Sequence, residues 1–314
     1  MRAMRSLPGP MKFDLKQLRH FVCVVDTGNI TRAAELQYIT QPALTRSIKK
    51  MEERIGAKLL DRSPRRITPT EAGRVLYRYA KIIINQAERA LLDVTAVSQG
   101  EQGHVHIGIA ALFAPTLISH LIPQLSARFP GLHVRITEGF FEDLVAGLVE
   151  GEIDVLLSNF PPGVVPPDVE LKPLFEIRTE FVVGASHPLA SQENVTAKDL
   201  REAQWAIIKQ PHIIDFLDKF FAEESLPPVS VAIEATSLNT LKSLVLLGQY
   251  VAMLPRRWIE KELETGEIKT IRKDGTALVR EAGLILRQTE TRRPTVENVI
   301  PVIEESCREW QIDR

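Results

Sequence analysis

FDLKQLRHFVCVVDTGNITRAAELQYITQPALTRSIKKMEERIGAKLLDRSPRRITPTEAG, residues 13–73, carries the apolar spacing that decides the fold. Leu15, Leu18, Val22 and Val25 recur at helical intervals, so 15–27 reads as a helix, and Gly28 supplies the usual stop. A short second helix is expected from Thr31 to about Gln37, with Asn29 or Thr31 as its cap and Ala33-Ala34 small enough for close packing. A third begins near Gln41-Pro42, because proline has no N–H to leave unpaired in a first turn. Leu44, Ile48, Met51 and Ile55 form its buried stripe, and Gly56 closes it. Residues 59–69 then read as two short extended pieces around a turn rich in Pro and Arg. Three helices followed by a basic hairpin make a winged helix-turn-helix. The outward face of the third helix carries Gln41, Thr45, Arg46, Lys49 and Lys50. Such a helix fits the major groove, where base edges show a distinct donor and acceptor pattern. Gln41 and Thr45 suit base edges, Arg46 a guanine or a phosphate, and the two lysines phosphates, which fix register rather than sequence.

Working outward, a long helix is predicted from about Thr70 to Gln99, opened by Thr70-Glu71. Along it Leu76, Ala80, Ile83, Ala87, Ala90, Val94 and Val97 alternate spacings of 4 and 3, a heptad seam that calls for a partner helix. Self-association as a dimer is therefore expected. Gly100 to Gly103 reads as a hinge. Beyond it strands are predicted near His104–Ile109, His133–Glu138, Ile153–Ser158, Phe181–Gly184, Trp205–Lys209, Val229–Glu234, Tyr250–Leu254 and Leu284–Arg287. Helices are predicted near Pro115–Arg128, Glu142–Glu150, Ile213–Glu224, Ser237–Leu247 and Thr295–Glu309. This alternation implies an α/β module with mainly parallel sheets and helices on both faces.

Composition bounds the function. The 314 residues exceed one typical domain, and 44% hydrophobic with 25% charged residues is ordinary for a soluble globular chain. No apolar run approaches the roughly 18 residues of a membrane span, so no membrane partner is expected. Residues 1–12 read as a flexible tail: Arg2 and Arg5 precede no apolar segment of a secretory signal, a cytoplasmic location follows, and Met11 is as good a start as Met1. Cys23 and Cys307 lie near opposite ends and make neither a disulfide framework nor a metal cluster. Cys23, inside Phe21–Val25, reads as a small core residue. The net charge of −1 conceals an asymmetry, because residues 11–70 hold twelve Lys/Arg against six acids. A basic module joined to an acidic one places contact with a polyanion in the first. An enzyme would need a recognisable constellation, yet no G-x-S-x-G, H-E-x-x-H, P-loop or G-x-G-x-x-G occurs. His104 and His106 alternate as metal ligands do but have no Cys or third His nearby. No catalytic residue, metal or cofactor is expected.

Residues 13–73 resemble the N-terminal module of LysR-type transcriptional regulators. The resemblance is carried by Leu18-Arg19-His20-Phe21, Ala33-Ala34, Gln41-Pro42-Ala43-Leu44-Thr45, Ile48, Met51-Glu52, Leu59-Leu60 with Arg62, and Thr70-Glu71-Ala72-Gly73. It implies a helix-turn-helix over Ile30–Lys49, with Gln41, Pro42, Thr45 and Arg46 facing double-stranded promoter DNA. The implied DNA-binding set is Ile30, Thr31, Arg32, Ala33, Ala34, Glu35, Leu36 and Gln37, then Tyr38, Ile39 and Thr40 in the turn, then Gln41, Pro42, Ala43, Leu44, Thr45, Arg46, Ser47, Ile48 and Lys49. Arg62, Arg65 and Arg66 on the wing complete it. Thr45 stands where the family usually has Ser, Leu60 replaces a commoner Phe, and Tyr38-Ile39-Thr40 is unusual in the turn.

The resemblance extends through Gly108, Ala127–Gly131, Gly151–Asp154 and His187–Ala190. It implies a DNA-binding domain at 13–70, a dimerisation helix at 71–100 and an effector-binding domain at 103–310. The last resembles a periplasmic binding protein, with one α/β subdomain at 103–175 plus 279–310 and another at 176–278, and two dimers forming a tetramer. A small-molecule effector would sit where strand ends and helix N-termini converge, and such termini favour anions. The candidates are Ala111, Leu112, Phe113, Glu138, Gly139, Gln210 and Ser237. Many relatives place Ser or Thr after the first strand; this chain has Ala110-Ala111, and Phe113, Phe140 and Phe160 make an apolar pocket. The rival expectation is a solute-binding module with no transcriptional role, which leaves the basic N-terminal module unexplained.

Overall fold

The computed structural model describes residues 13–62, 67–99, 103–160, 166–271, 276–288 and 292–312. The chain divides into two compact units, one of residues 1–104 with 146–153, the other of 105–145 with 154–314. Among the described residues no helix is long and apolar enough to cross a membrane.

The first unit contains α1 (Leu15–Thr27), α2 (Ile30–Leu36), α3 (Gln41–Ile55), β1 (Leu60–Arg62), β2 (Ile67–Pro69) and α4 (Glu71–Gln99). Local chemistry sets the helix ends. The Asp14 carboxylate accepts from Gln17 N at 2.7 Å, and the Gln17 side chain accepts from Asp14 N at 3.2 Å, a capping box for α1. Asn29 Oδ1 takes the N–H groups of Thr31 and Arg32 at 2.9 and 3.1 Å and starts α2. Leu18, Phe21, Ala33, Ala34, Leu44, Ile48, Met51 and Leu59 form the core.

Among the described residues Glu52 is the one acid buried in this core. Its carboxylate accepts from Leu59 N at 2.8 Å, Leu60 N at 3.3 Å and Lys58 Nζ at 3.2 Å, tying the end of α3 to the first wing strand. Glu52→Ala leaves two buried N–H groups without their acceptor. It is expected to lower stability by about 2–4 kcal/mol, read as the shift in urea midpoint; an unchanged midpoint contradicts this role.

The Thr70-Glu71-Ala72-Gly73 run has a packing explanation. Thr70 Oγ1 accepts from Gly73 N at 3.0 Å and donates to Lys58 O at 2.7 Å. A Cβ on Gly73 would lie 2.0 Å from the Leu59 carbonyl oxygen, so only glycine lets α4 start this close to the wing.

The structure corrects the predicted heptad seam. Leu76 and Ala80 pack into the unit's own core together with Tyr77 and Ile84. Ile83, Ala90 and Val94 are exposed, Ala87 is half-buried, and the Val97 side chain lies outside the described residues. Because α4 begins against the three-helix core, its first apolar turns are used within the chain. The stripe left open runs through Val75, Tyr79, Ile83, Ala90, Leu91 and Val94.

The second unit contains one sheet built from β3 (His104–Ala110), β4 (His133–Gly139), β5 (Val155–Asn159), β6 (Val169–Gly184), β7 (Trp205–Ile208), β8 (Val231–Ala235), β9 (Val251–Pro255), β10 (Ile268–Thr270) and β11 (Ala277–Arg287). Its helices are α5 (Ala114–Arg128), the first half of α6 (Phe141–Val149), α7 (Ala197–Glu202), α8 (Pro211–Glu223), α9 (Leu238–Leu246), α10 (Glu260–Glu264) and α11 (Pro294–Ile312). The order is β4-β3-β5-β11-β6-β9-β7-β8, with β10 on β6. Parallel pairs β3–β5, β7–β8 and β7–β9 sit toward the two ends. The middle, β5–β11–β6–β9, is antiparallel, so the expectation of mainly parallel sheets is corrected. The reason is the long β6–β11 pair, which runs through both halves.

Each half has its own core. One lies under α5 and α11, where Phe113, Phe175 and Trp310 pack edge to face. The other half is covered on both faces. Phe181, Trp205, Leu217 and Phe221 fill one side with α8, and Val182, Leu241, Val245 and Leu254 fill the other with α9.

Candidate functional site

In the first unit, α2 and α3 are joined by a turn at Gln37–Thr40. Tyr38 takes φ 54° there and is 95% exposed. Thr31, Arg32, Glu35, Leu36, Tyr38, Thr40, Gln41, Pro42, Ala43, Arg46 and Lys49 are exposed, and Thr45 is half-buried. Gln41 Nε2 reaches Thr45 Oγ1 at 3.4 Å, one turn along the same face. Lys50 is exposed as well, although it fell outside the implied set. The 3.8 Å Lys49–Glu53 pair is fully at the surface and holds Lys49 only weakly.

The same geometry corrects part of that set. Ala33, Ala34, Leu44 and Ile48 are core residues at 0–2% exposure and do not reach a ligand surface. Ile30 and Ile39 pack against that core. Ser47 is half-buried, with its hydroxyl 2.7 Å from His20 Nδ1. Two helices and the turn between them cannot present every residue on one face; their apolar stripes must turn inward. Arg62 ends β1 with its side chain outside the described residues, and Arg65 and Arg66 lie outside them entirely.

In the second unit, a cleft opens to solvent. Ala110, Ala111 and Leu112 reach it from the end of β3, and Gly139, Phe140 and Phe141 from the β4–α6 junction. Gln210, His212 and Ile213 begin α8, and Leu238 begins α9. Ile208, Met253 and Pro255 close it from the ends of β7 and β9, while Asn159, Thr179 and Arg280 come from β5, β6 and β11. The starts of α5, α8 and α9 have no side-chain cap, so unpaired N–H groups and a partial positive charge gather here.

Of the expected effector residues, Ala111, Leu112, Gly139 and Gln210 line this cleft. The other three do not. Phe113 turns under α5 into the hydrophobic core at 0% exposure. Glu138 is exposed on β4, on the opposite side of the strand from its cleft-lining neighbour Gly139. Ser237 is an exposed N-cap whose neighbour Leu238 takes the cleft position.

Sequence reasoning missed Asn159, Thr179, His212 and Arg280. Burial, helped by the nearby Arg280 charge, pulls the His212 pKa down to about 4, so its imidazole is neutral near pH 7. Burial also pulls Arg280 down to about 10, against the Glu142 carboxylate, and it stays charged. Its Nε and Nη1 are buried without a hydrogen-bond partner among the described residues.

Comparison with known proteins bears on both units. The model of bacterial regulatory helix-turn-helix proteins of the lysR family matches residues 15–74, and that of the LysR substrate binding domain matches residues 98–308. The DNA-binding transcriptional dual regulator OxyR of Escherichia coli K12 is 29% identical over 245 residues, covering 77% of this chain and 79% of its own. The probable hydrogen peroxide-inducible genes activator of Streptomyces viridosporus is 28% identical over 314 residues, covering 99% and 98%. The crystal structure of ArgP from Mycobacterium tuberculosis shares the fold at a TM-score of 0.68, with 17% identity and 96% and 98% coverage. An N-terminal helix-turn-helix followed by a LysR substrate binding domain, over nearly the whole length, is the architecture of one family: the chain belongs to the LysR-type transcriptional regulators.

Proposed function

We propose that this regulator binds promoter DNA as a dimer through the exposed face of α2, the turn and α3, and that a small molecule in the second unit's cleft shifts its action. The observation that carries the reading is the cluster of Arg32, Arg46, Lys49 and Lys50, all exposed around a helix-turn-helix whose apolar stripe is fully used in the core. In this reading Gln41 and Thr45 read bases, and Arg32, Arg46, Lys49 and Lys50 hold phosphates. The wing residues Arg62, Arg65 and Arg66 contact the flanking backbone. The open stripe on α4 pairs two chains, and two dimers associate as a tetramer. The working compartment is the cytoplasm, and no group is assigned a catalytic role.

Two relatives carry names that bear on the signal. One is a DNA-binding regulator, which agrees with the reading; another is named for hydrogen peroxide. Peroxide sensing by a thiol needs an accessible thiolate of low pKa. Cys307 is 1% exposed and pushed up to about 12, and burial also raises the half-buried Cys23. We therefore assign the signal to a reversibly bound ligand. That ligand must bind two states of the regulator with different affinity, or it shifts nothing.

The test is a salt titration of the full-length protein on duplex DNA by fluorescence anisotropy. With about eight phosphates neutralised by the four helix-turn-helix cations of each subunit, and any wing contacts adding to them, log K should fall against log salt with a slope of about −7 or steeper. That is a loss on the order of ten-thousandfold between roughly 50 and 200 mM salt. A flat dependence, or no binding at low salt, rejects the reading.

A further inference from the structure

The cleft is mostly apolar, yet one cation lines it with hydrogen-bonding groups left open. Arg280 lies within β11, opposite Ile177 of β6. It is the one permanently charged side chain lining the cavity, because the remaining lining residues are apolar, neutral polar, or the uncharged His212. With Nε and Nη1 buried and unpaired among the described residues, that edge of the guanidinium has lost water without gaining a hydrogen bond, and the Glu142 carboxylate acts on it only through space. A buried guanidinium nitrogen without a partner is a position that a ligand, an ion or a bound water can complete. The remaining wall fits the same answer. Phe140, Phe141, Leu238 and Met253 offer apolar contact, and the Asn159 and Thr179 side chains, 6% and 4% exposed, offer neutral hydrogen-bonding groups.

We propose that the cleft binds a compact monocarboxylate with an apolar or aromatic body, its carboxylate on Arg280 and its body against Phe140, Phe141 and Met253. The inference rests on the reading of this cleft as the effector site. One cation matches one anion. A neutral ligand would leave the open guanidinium groups unsatisfied.

The experiment is calorimetry and thermal unfolding of the full-length protein, with benzoate and hexanoate as probes and benzamide and hexanamide as their uncharged partners. The acids are expected to bind and raise the unfolding midpoint, with the amides on the order of tenfold to a hundredfold weaker. Arg280→Gln should remove that difference while leaving the unliganded midpoint unchanged or higher, since a buried unpaired charge is gone. Arg280→Met serves if the glutamine variant does not fold. Leu238→Trp, which narrows the cavity without altering its charge, should weaken acids and amides together. Amides equal to acids, acid binding that survives Arg280→Gln, or no protection by either acid overturns the proposal. The two failures separate. Equal binding that is still lost in Leu238→Trp keeps the cleft and removes only the carboxylate. Binding that survives both Arg280→Gln and Leu238→Trp lies elsewhere and removes the cleft reading itself.

Discussion

Ile83→Asp is expected to turn the dimer into monomers. Ile83 is 41% exposed in the single chain, in the same stripe as Leu91 and Val94 at 68% each. α4 is 29 residues long, and a helix of that length exposing one apolar stripe is stable in water only when a second surface covers it. In a two-fold pair each substitution appears twice, so two carboxylates are stripped of water against apolar neighbours. The penalty is about 3–5 kcal/mol, or on the order of a thousandfold weaker association. Sedimentation velocity reads the change directly. The fold of the first unit should survive, because Ile83 lies outside its core. Ile84, one position along and 9% exposed, belongs to that core, so Ile84→Asp should unfold the unit instead. A dimer of undiminished strength in Ile83→Asp would contradict the assignment of this stripe.

Reversing charge at Arg46 and Lys49 together should have the other large effect. Both are exposed on the outward face of α3 and neither belongs to the core. Arg46→Glu with Lys49→Glu removes about four phosphate contacts per dimer, which at low salt weakens DNA binding on the order of 10³- to 10⁵-fold. The salt slope should fall by about 3 to 4 units, at 0.9 per contact. The unfolding midpoint should stay close to that of the parent protein. Anisotropy titration at several salt concentrations measures both quantities, and parental affinity in the double variant would remove α3 from the interface.

Much of the first unit was legible from spacing alone. Helical periodicity, the Gly28 and Gly56 stops and Pro42 in a first turn place α1, α2 and α3 within a residue or so of where they lie. The heptad on α4 misled because periodicity reports an apolar face and not what covers it. Leu76 and Ala80 satisfy the pattern yet face the chain's own core. The second unit hid its central pair for a different reason. In β6 only Phe181–Gly184 reads as a continuous buried run; upstream, Glu176, Arg178 and Glu180 alternate with Phe175, Ile177 and Thr179 as on a half-exposed strand, but the Lys172-Pro173 pair interrupts that signal. β11 behaves the same way before Leu284, and its bulge between Ala282 and Gly283 breaks the alternation further. At that bulge a Cβ on Gly283 would lie 2.1 Å from the Lys172 carbonyl oxygen, so the closeness of the pair is visible only in three dimensions. The same blind spot concealed the cleft's polar residues. The loops after β3, β4 and β7 point at the cleft from sequence order, but Arg280 and Thr179 arrive from the two strands that periodicity failed to find.

The most direct measurement is hydrogen exchange of the full-length protein, read by mass spectrometry, with and without a mixed-sequence DNA duplex at low ionic strength, where charge alone suffices for binding. The prediction is slowed exchange at residues 30–50 with little change around the second unit's cleft. Duplex bound with no protection at 30–50, or with protection confined to residues beyond 104, would show that the nucleic acid meets a different surface and that the division of labour between the two units is wrong.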